Sequence, residues 1–267
     1  MKKLSVLAIA FAAVFFAACG GKKNAPADNA VDSTKSFEQQ QIEASIKMHL
    51  DSIAADLSQL KQLPFLQEGD GGMQLTKEEK QVKPDYLLNP AVAEEATTLA
   101  EKYRMLAALN VDRQIALLYE MPVEEYDKAI TKLAADVNDP SFKVLDNANS
   151  LYETSSALYD AMNENGRINY FWQIAAAALV EQLYTANQNS EKFLSVFNDE
   201  TASSVTFRIV LILDAINRLA QYDPDIEPIA AAVAPLQSLN ATSVSELKSQ
   251  LAEANEPINA ARKALIK

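Results

Sequence analysis

Ile42, Ile46, Leu50, Ile53, Leu57, Leu60 and Leu63 recur at steps of four and three, which predicts one amphipathic helix starting near Phe37 and ended by Pro64. From Pro64 to Pro90 the period disappears and three of the six glycines fall there, so the stretch reads as a long loop, functional or disordered. Helical spacing returns at Asn89-Pro90, a capping residue followed by proline at the first helical position, and runs through Val92, Ala96, Leu99, Tyr103 and Leu106. Val111 to Met121 either extends that helix or bends from it. Pro122 restarts a helix with Glu124 and Glu125 in its first turn and Ile130, Leu133, Ala134 and Val137 behind, ending at Asn138-Asp139-Pro140. Leu151, Leu158 and Met162 mark the next, which Asn165-Gly166 closes as a C-terminal cap.

INYFWQIAAAALVEQLY, Ile168 to Tyr184, is apolar on nearly every side, the mark of a central helix, and Ala175 to Ala178 would let a neighbour approach closely. Val205 to Ala220 contains VTFRIVLIL, which is β-branched enough to imitate a strand. Its stripe of Val205, Ile209, Ile212, Leu213, Ile216 and Leu219 nevertheless keeps helical phase past Asp214, and no other segment offers a strand to pair with. Tyr222-Asp223-Pro224-Asp225 is a turn, followed by helices near Ile226 to Leu239 and Val244 to Ile266. The expectation is an all-α, irregular multi-helix bundle of about nine helices with no sheet. No fixed period of thirty to fifty residues carries a repeated signature, so a regular solenoid is not indicated.

The start of the chain has a different pattern. Lys2 and Lys3 precede fifteen uncharged residues, Leu4 to Ala18, which is the layout of an export signal and is shorter than the ~20 residues of a membrane-spanning helix. Phe16-Ala17-Ala18-Cys19 resembles the lipobox of bacterial lipoproteins, with Phe16 where that family usually has leucine. The resemblance implies that residues 1–18 are cleaved, that Cys19 becomes the acylated first residue of the mature chain, and that its acyl chains anchor it in a membrane. Gly20 is not the aspartate that retains such proteins in the inner membrane. Lys22 and Lys23 are not the acidic cluster of Bacteroidetes surface-exported lipoproteins. By resemblance the expected location is the periplasmic face of the outer membrane. Residues 19–36 lack any apolar period and read as a flexible tether of roughly 20–25 Å typical reach, leaving 37–267 as the helical domain.

Without residues 1–18 the chain keeps 22 basic against 36 acidic residues, a net −14. That excludes a nucleic-acid-binding role, which needs clustered Lys and Arg. Cys19 is the only cysteine, so its lipidation leaves no thiol for a disulfide and stability rests on packing.

Most catalytic chemistry lacks its residues. The single histidine, His49, cannot supply a two-histidine zinc site or a di-iron bundle, and no G-x-S-x-G partners it as part of a triad. It sits at the flank of an apolar stripe, which predicts a partly buried ring. Glu78-Glu79, Glu94-Glu95 and Glu124-Glu125 are adjacent pairs whose side chains diverge by about 100° on a helix and read as caps and surface. Asp223, Asp225 and Glu227 lack the glycine of a calcium loop. No catalytic residue, metal site or cofactor is therefore expected. Two unusual features remain. Arg208 interrupts an apolar run, with Asp214 and Arg218 spaced as a helical pair beyond it. Trp172, Tyr170 and Tyr184, with Tyr152 and Tyr159, form an aromatic group that packs a core or lines a groove.

These features lead to the expectation of a non-enzymatic, lipid-anchored periplasmic module that binds an envelope protein partner. The alternative is a binding protein for a small ligand, sugar or peptide, in a cleft lined by Trp172, Arg208, Tyr170 and Tyr184. A pocket of several hundred cubic ångströms would favour the ligand, and a solid core with an exposed apolar patch the partner.

Overall fold

The computed structural model describes residues 37–67, 72–145 and 155–266. The expected signal peptide, Cys19 and the tether lie outside the described residues, as do Leu151 and Tyr152.

The described residues are helical and carry no strand, as the hydrophobic spacing predicts. Helix α1, Phe37–Gln59, buries Leu50, Ile53, Ala54 and Leu57 on one face. Pro64 opens a single 3-10 turn, Pro64–Leu66, that drives Phe65 and Leu66 into the core. The described residues of the 64–90 stretch, 64–67 and 72–90, hold more helix than the missing period implies. Helix α2, Lys77–Gln81, forms there because Thr76 and Glu79 close a capping box, although it buries nothing. Glu79 also accepts from Lys192, and that pair holds α2 to the body.

The helix expected from Pro90 is two elements. Pro90–Glu95 is a 3-10 segment capped by Asn89, and a second capping box at Thr98 and Glu101 starts α3, Leu99–Leu118. Helix α4, Glu124–Val137, lays Tyr126, Ile130, Leu133 and Val137 on α3. Asn138 takes the left-handed conformation at its end, with φ 48°. Helix α5, Ser155–Glu164, stops before Gly166, whose φ of 67° an L side chain rarely adopts. Helix α6, Ile168–Gln188, is the axis of the molecule and contacts α3, α5, α8 and α11. A four-residue α7, Ser190–Phe193, precedes α8, Asp199–Ala220, so the VTFRIVLIL run is helix.

Proline divides the C-terminal segment. Pro235 converts the end of α9, Glu227–Val233, into a 3-10 turn. The helix expected over Val244 to Ile266 breaks at Ala254 into α10, Val244–Glu253, and α11, Asn255–Leu265, because Pro257 has no N–H to continue the ladder.

Side-chain pairs fix the helix directions. Tyr103 stacks on Tyr170, Arg104 donates to Gln173 and Asp112 faces Glu181, so α3 and α6 run parallel. His49 lies 3.8 Å from Asp214 and Arg208 donates to the Lys61 carbonyl, so α1 and α8 run antiparallel. No helix among the described residues is long and apolar enough to cross a membrane.

Candidate functional site

The four residues expected around one cleft occupy different places. Trp172 has no exposed surface and meets Tyr159 and Phe171 edge-on inside the core. Tyr170 lies flat on Tyr103, 4.8 Å between ring centres. Tyr184 lies beneath Arg262, whose guanidinium carbon sits 3.8 Å from the ring centre. Only Arg208 reaches a cleft, and it does so while 5% exposed. Trp172 and Tyr159 are core, and Tyr170 and Tyr184 pack against it.

That cleft opens between α1, α3, α5, α6 and α8 and holds about 100 Å³. Leu57, Leu158, Phe171, Ile174 and Ile212 make it apolar, and Phe171 is its only aromatic lining residue. Its floor explains half of the alanine run. Ala176 and Ala177 have no exposed surface and admit neighbours closely, whereas Ala175 and Ala178 face the cleft and stay partly exposed.

Two buried polar clusters join the helices around α6. In the first, Tyr103 donates to Asp139, Arg167 donates to the Tyr103 hydroxyl at 2.9 Å, and the Ser141 amide donates to Asp139 at 2.8 Å. This network ties the start of α3 to the turn after α4 and to the α5–α6 junction, with every oxygen engaged in helix joining.

The second contains Asp112, Glu181 and Arg262. Arg262 reaches from α11 to grip both Glu181 oxygens, at 2.8 and 2.7 Å, and lies 4.0 Å from Asp112. The Leu88 amide donates to Asp112 Oδ2 at 2.7 Å, and the Tyr126 hydroxyl donates to the Leu88 carbonyl. Neither carboxyl has any exposed surface. Burial, and then the facing Glu181 carboxylate, push the Asp112 carboxyl well above the usual carboxylate range. Its Oδ1, which accepts no hydrogen bond, is the atom available to carry the proton. Burial opposes the charge on Arg262, and the Glu181 hydrogen bonds more than offset that penalty. One guanidinium therefore pairs with one carboxylate, and burial beside that carboxylate pushes the Asp112 carboxyl toward its protonated form.

Asp112 and Glu181 are facing acids, as carboxylate catalysis requires, but they have no surface to offer a substrate and one is already clamped. Glu181 interrupts an apolar run as plainly as Arg208 does, and that signal marks it in the sequence. Asp112 and Arg262 carry no comparable signal, since each stands among polar neighbours on an amphipathic helix.

Other polar features are exposed. His49 is at the flank of the stripe, its side chain 49% exposed and 3.8 Å from Asp214 on α8. Asp214 and Arg218 form a 3.0 Å pair on the surface of α8. Glu124 and Glu125 stand in a first helical turn, and Glu79 serves a capping box, as caps do. No group of three or more acidic, histidine or cysteine side chains able to hold a metal occurs among the described residues.

Compared with known protein families, curated proteins and solved structures, the chain matches none.

Proposed function

We propose that the protein is a non-enzymatic, lipid-anchored interaction module of the cell envelope, held at the periplasmic face of the outer membrane through Cys19. The observation that carries this reading is the outward face of α8, where Phe207 and Val210 stand one turn apart at 46% and 52% exposure. The rest of that helix buries Val205, Ile209, Ile212 and Ile216. Burying two such side chains against a partner removes apolar surface worth about 25 cal/mol per Å². The acidic body around them favours a partner whose apolar patch is rimmed by Lys and Arg. Trp172, Tyr170 and Tyr184 pack in or against the core, and the cleft is smaller than the several hundred cubic ångströms typical of a drug-sized ligand site.

The test is in-cell photocrosslinking from position 207, with exposed Asp56 as the control position. A discrete adduct formed from 207 and not from 56 supports the reading. The same set of membrane neighbours from both positions would remove it.

A further inference from the structure

We infer that the segment from Thr76 to Asp85, with α2 at its centre, is an ionic strap that closes one side of a surface cleft and lifts from it as a unit while the helical body stays folded. This goes beyond the partner reading and stands on different residues.

The strap is bounded by packing and held by charge. Met73 and Leu75 are buried before it, and Tyr86, Leu87 and Leu88 pack against the core after it. None of the ten residues from Thr76 to Asp85 is buried, and α2 makes no broad contact with another helix. Its five residues are too few to stay helical by themselves. Among the described residues, three lysine contacts join the strap to the body. Lys192 on α7 reaches Glu79, Lys80 reaches Glu120 at 2.7 Å, and Lys83 donates to the Tyr119 carbonyl.

The backbone at position 120 points the same way. Glu120 follows α3 with a φ of 52°, the left-handed conformation that glycine or asparagine ordinarily takes past a helix end. An L side chain is unfavourable there, and the group this one contributes is the carboxylate that meets Lys80. The ion pair is thus built on a backbone position that glycine would occupy more readily.

The strap forms one wall of a cleft of about 360 Å³, with Glu79 and Val82 on its side and Tyr119, Asn189, Glu191 and Lys192 on the side of the body. Tyr119 is 4% exposed, and the Asn189 side-chain amide donates to its hydroxyl at 3.3 Å. Lifting the strap therefore separates Glu79 from Lys192 and bares an aromatic ring and an amide on the body. The contacts that resist lifting are of the kind that salt weakens. Glu79 and Glu120 reach solvent, and the distance over which such charges act falls from ~10 Å at 0.1 M salt to ~3 Å at 1 M. Burial of apolar surface, which holds the body, is not screened in this way.

Trypsin reads the opening at the Lys80–Gln81 bond, because cleavage of a folded chain follows the population of its locally open form. The full chain is digested in about 0.02 M and about 0.5 M sodium chloride, and each rate is divided by that of a free peptide of the strap sequence. Cleavage after Arg113, inside α3, reports opening of the body. Cleavage at Lys80 should rise about fivefold with salt, and cleavage after Arg113 should not. Glu79→Gln keeps a side chain suited to the capping box and loses the charge opposite Lys192. Glu120→Gly relieves the left-handed φ and removes the partner of Lys80. Each should speed low-salt cleavage at Lys80 about twofold, and the double variant should lose most of the salt dependence, while the urea midpoint of Glu120→Gly holds or rises. A rate at Lys80 that ignores salt, equal changes at Lys80 and Arg113, or a double variant cleaved like wild type would overturn the proposal.

Discussion

Arg262 on α11 and Glu181 on α6 meet through two parallel hydrogen bonds of 2.8 and 2.7 Å, with the Tyr184 ring beneath the guanidinium. Arg104 secures the far end of α11 by donating to the Leu265 carbonyl at 2.8 Å. The α11 helix is thus held by its own Arg262 reaching to α6 and by Arg104 reaching to it from α3, in addition to its buried Ile258, Ala261 and Leu265.

Removing the guanidinium leaves Glu181 buried opposite Asp112 with no cation between helices. Breaking a buried pair from one side typically costs ~3–5 kcal/mol, because the remaining charge has lost its compensation. Arg262→Ala should therefore lower the unfolding free energy by about that much, read from urea unfolding. A loss below about 1 kcal/mol, the size of a surface pair, would mean that Glu181 is solvated in solution.

Asp112 gives this cluster a pH dependence whose sign is fixed. Its folded pKa lies above the unfolded value near 3.9, so the folded chain keeps a proton that the unfolded chain releases. Its contribution is whole below about pH 4 and falls as pH rises, until it is lost above the folded pKa. The charged and titratable groups around it are Glu181 and Tyr184 on α6, Arg262 on α11, Tyr126 on α4, and Tyr86 with Tyr119, the residue after α3. Asp112→Asn is neutral at every pH. The stability of this variant relative to wild type should improve as pH rises above about 4, and paired unfolding curves measure it. A difference that moves toward wild type over that range would place the proton elsewhere.

The helical architecture is readable in the sequence where apolar spacing persists. Val205, Ile209, Ile212 and Ile216 hold their phase across Arg208 and Asp214, and α8 follows. Breaks set by single residues are harder to read. Pro257 splits a stripe that remains amphipathic on both sides, and α7 has too few residues to show a period. The sites are less legible because they are long-range. Asp112, Glu181 and Arg262 stand far apart in the chain and meet only through the parallel register of α3 and α6 and the return of α11. Local pattern records which face of a helix is apolar, and the partner of that face is set by the packing of other helices. Trp172 and the tyrosines show this for the cleft, since helical spacing brings them together as core rather than as lining.

The start of α3 should respond to acid in the opposite sense to Asp112. Glu101 Oε2 accepts from the Thr98 and Thr97 amides and from the Thr97 hydroxyl, at 2.9, 3.0 and 2.9 Å. The Thr98 amide contributes most to holding the carboxyl down to about 2. A lowered folded pKa contributes stability above the unfolded value of about 4.3 that is lost as pH falls toward the folded one. Glu101→Ala should cost ~0.5–2 kcal/mol near neutral pH, the range for loss of a cap, and the cost should shrink on acidification. Hydrogen exchange of the first-turn amides of α3 at two pH values reads it locally. A cost that grows in acid would contradict the capping role.

The proposed membrane anchor rests on Cys19. Cys19 is the only thiol of the chain, and in the proposed anchor each buried methylene contributes about 0.8 kcal/mol to membrane binding. Several chains together hold a protein far more firmly than one, so replacing the sulfur removes the anchor in a single step. In Cys19→Ala the processed chain should move from the detergent phase to the aqueous phase on phase separation. Metabolic labelling with a radioactive fatty acid should be lost with it. Wild-type partitioning retained by the variant would show that something other than the thioether holds the protein to the membrane, and the tether would then no longer set where the helical body stands.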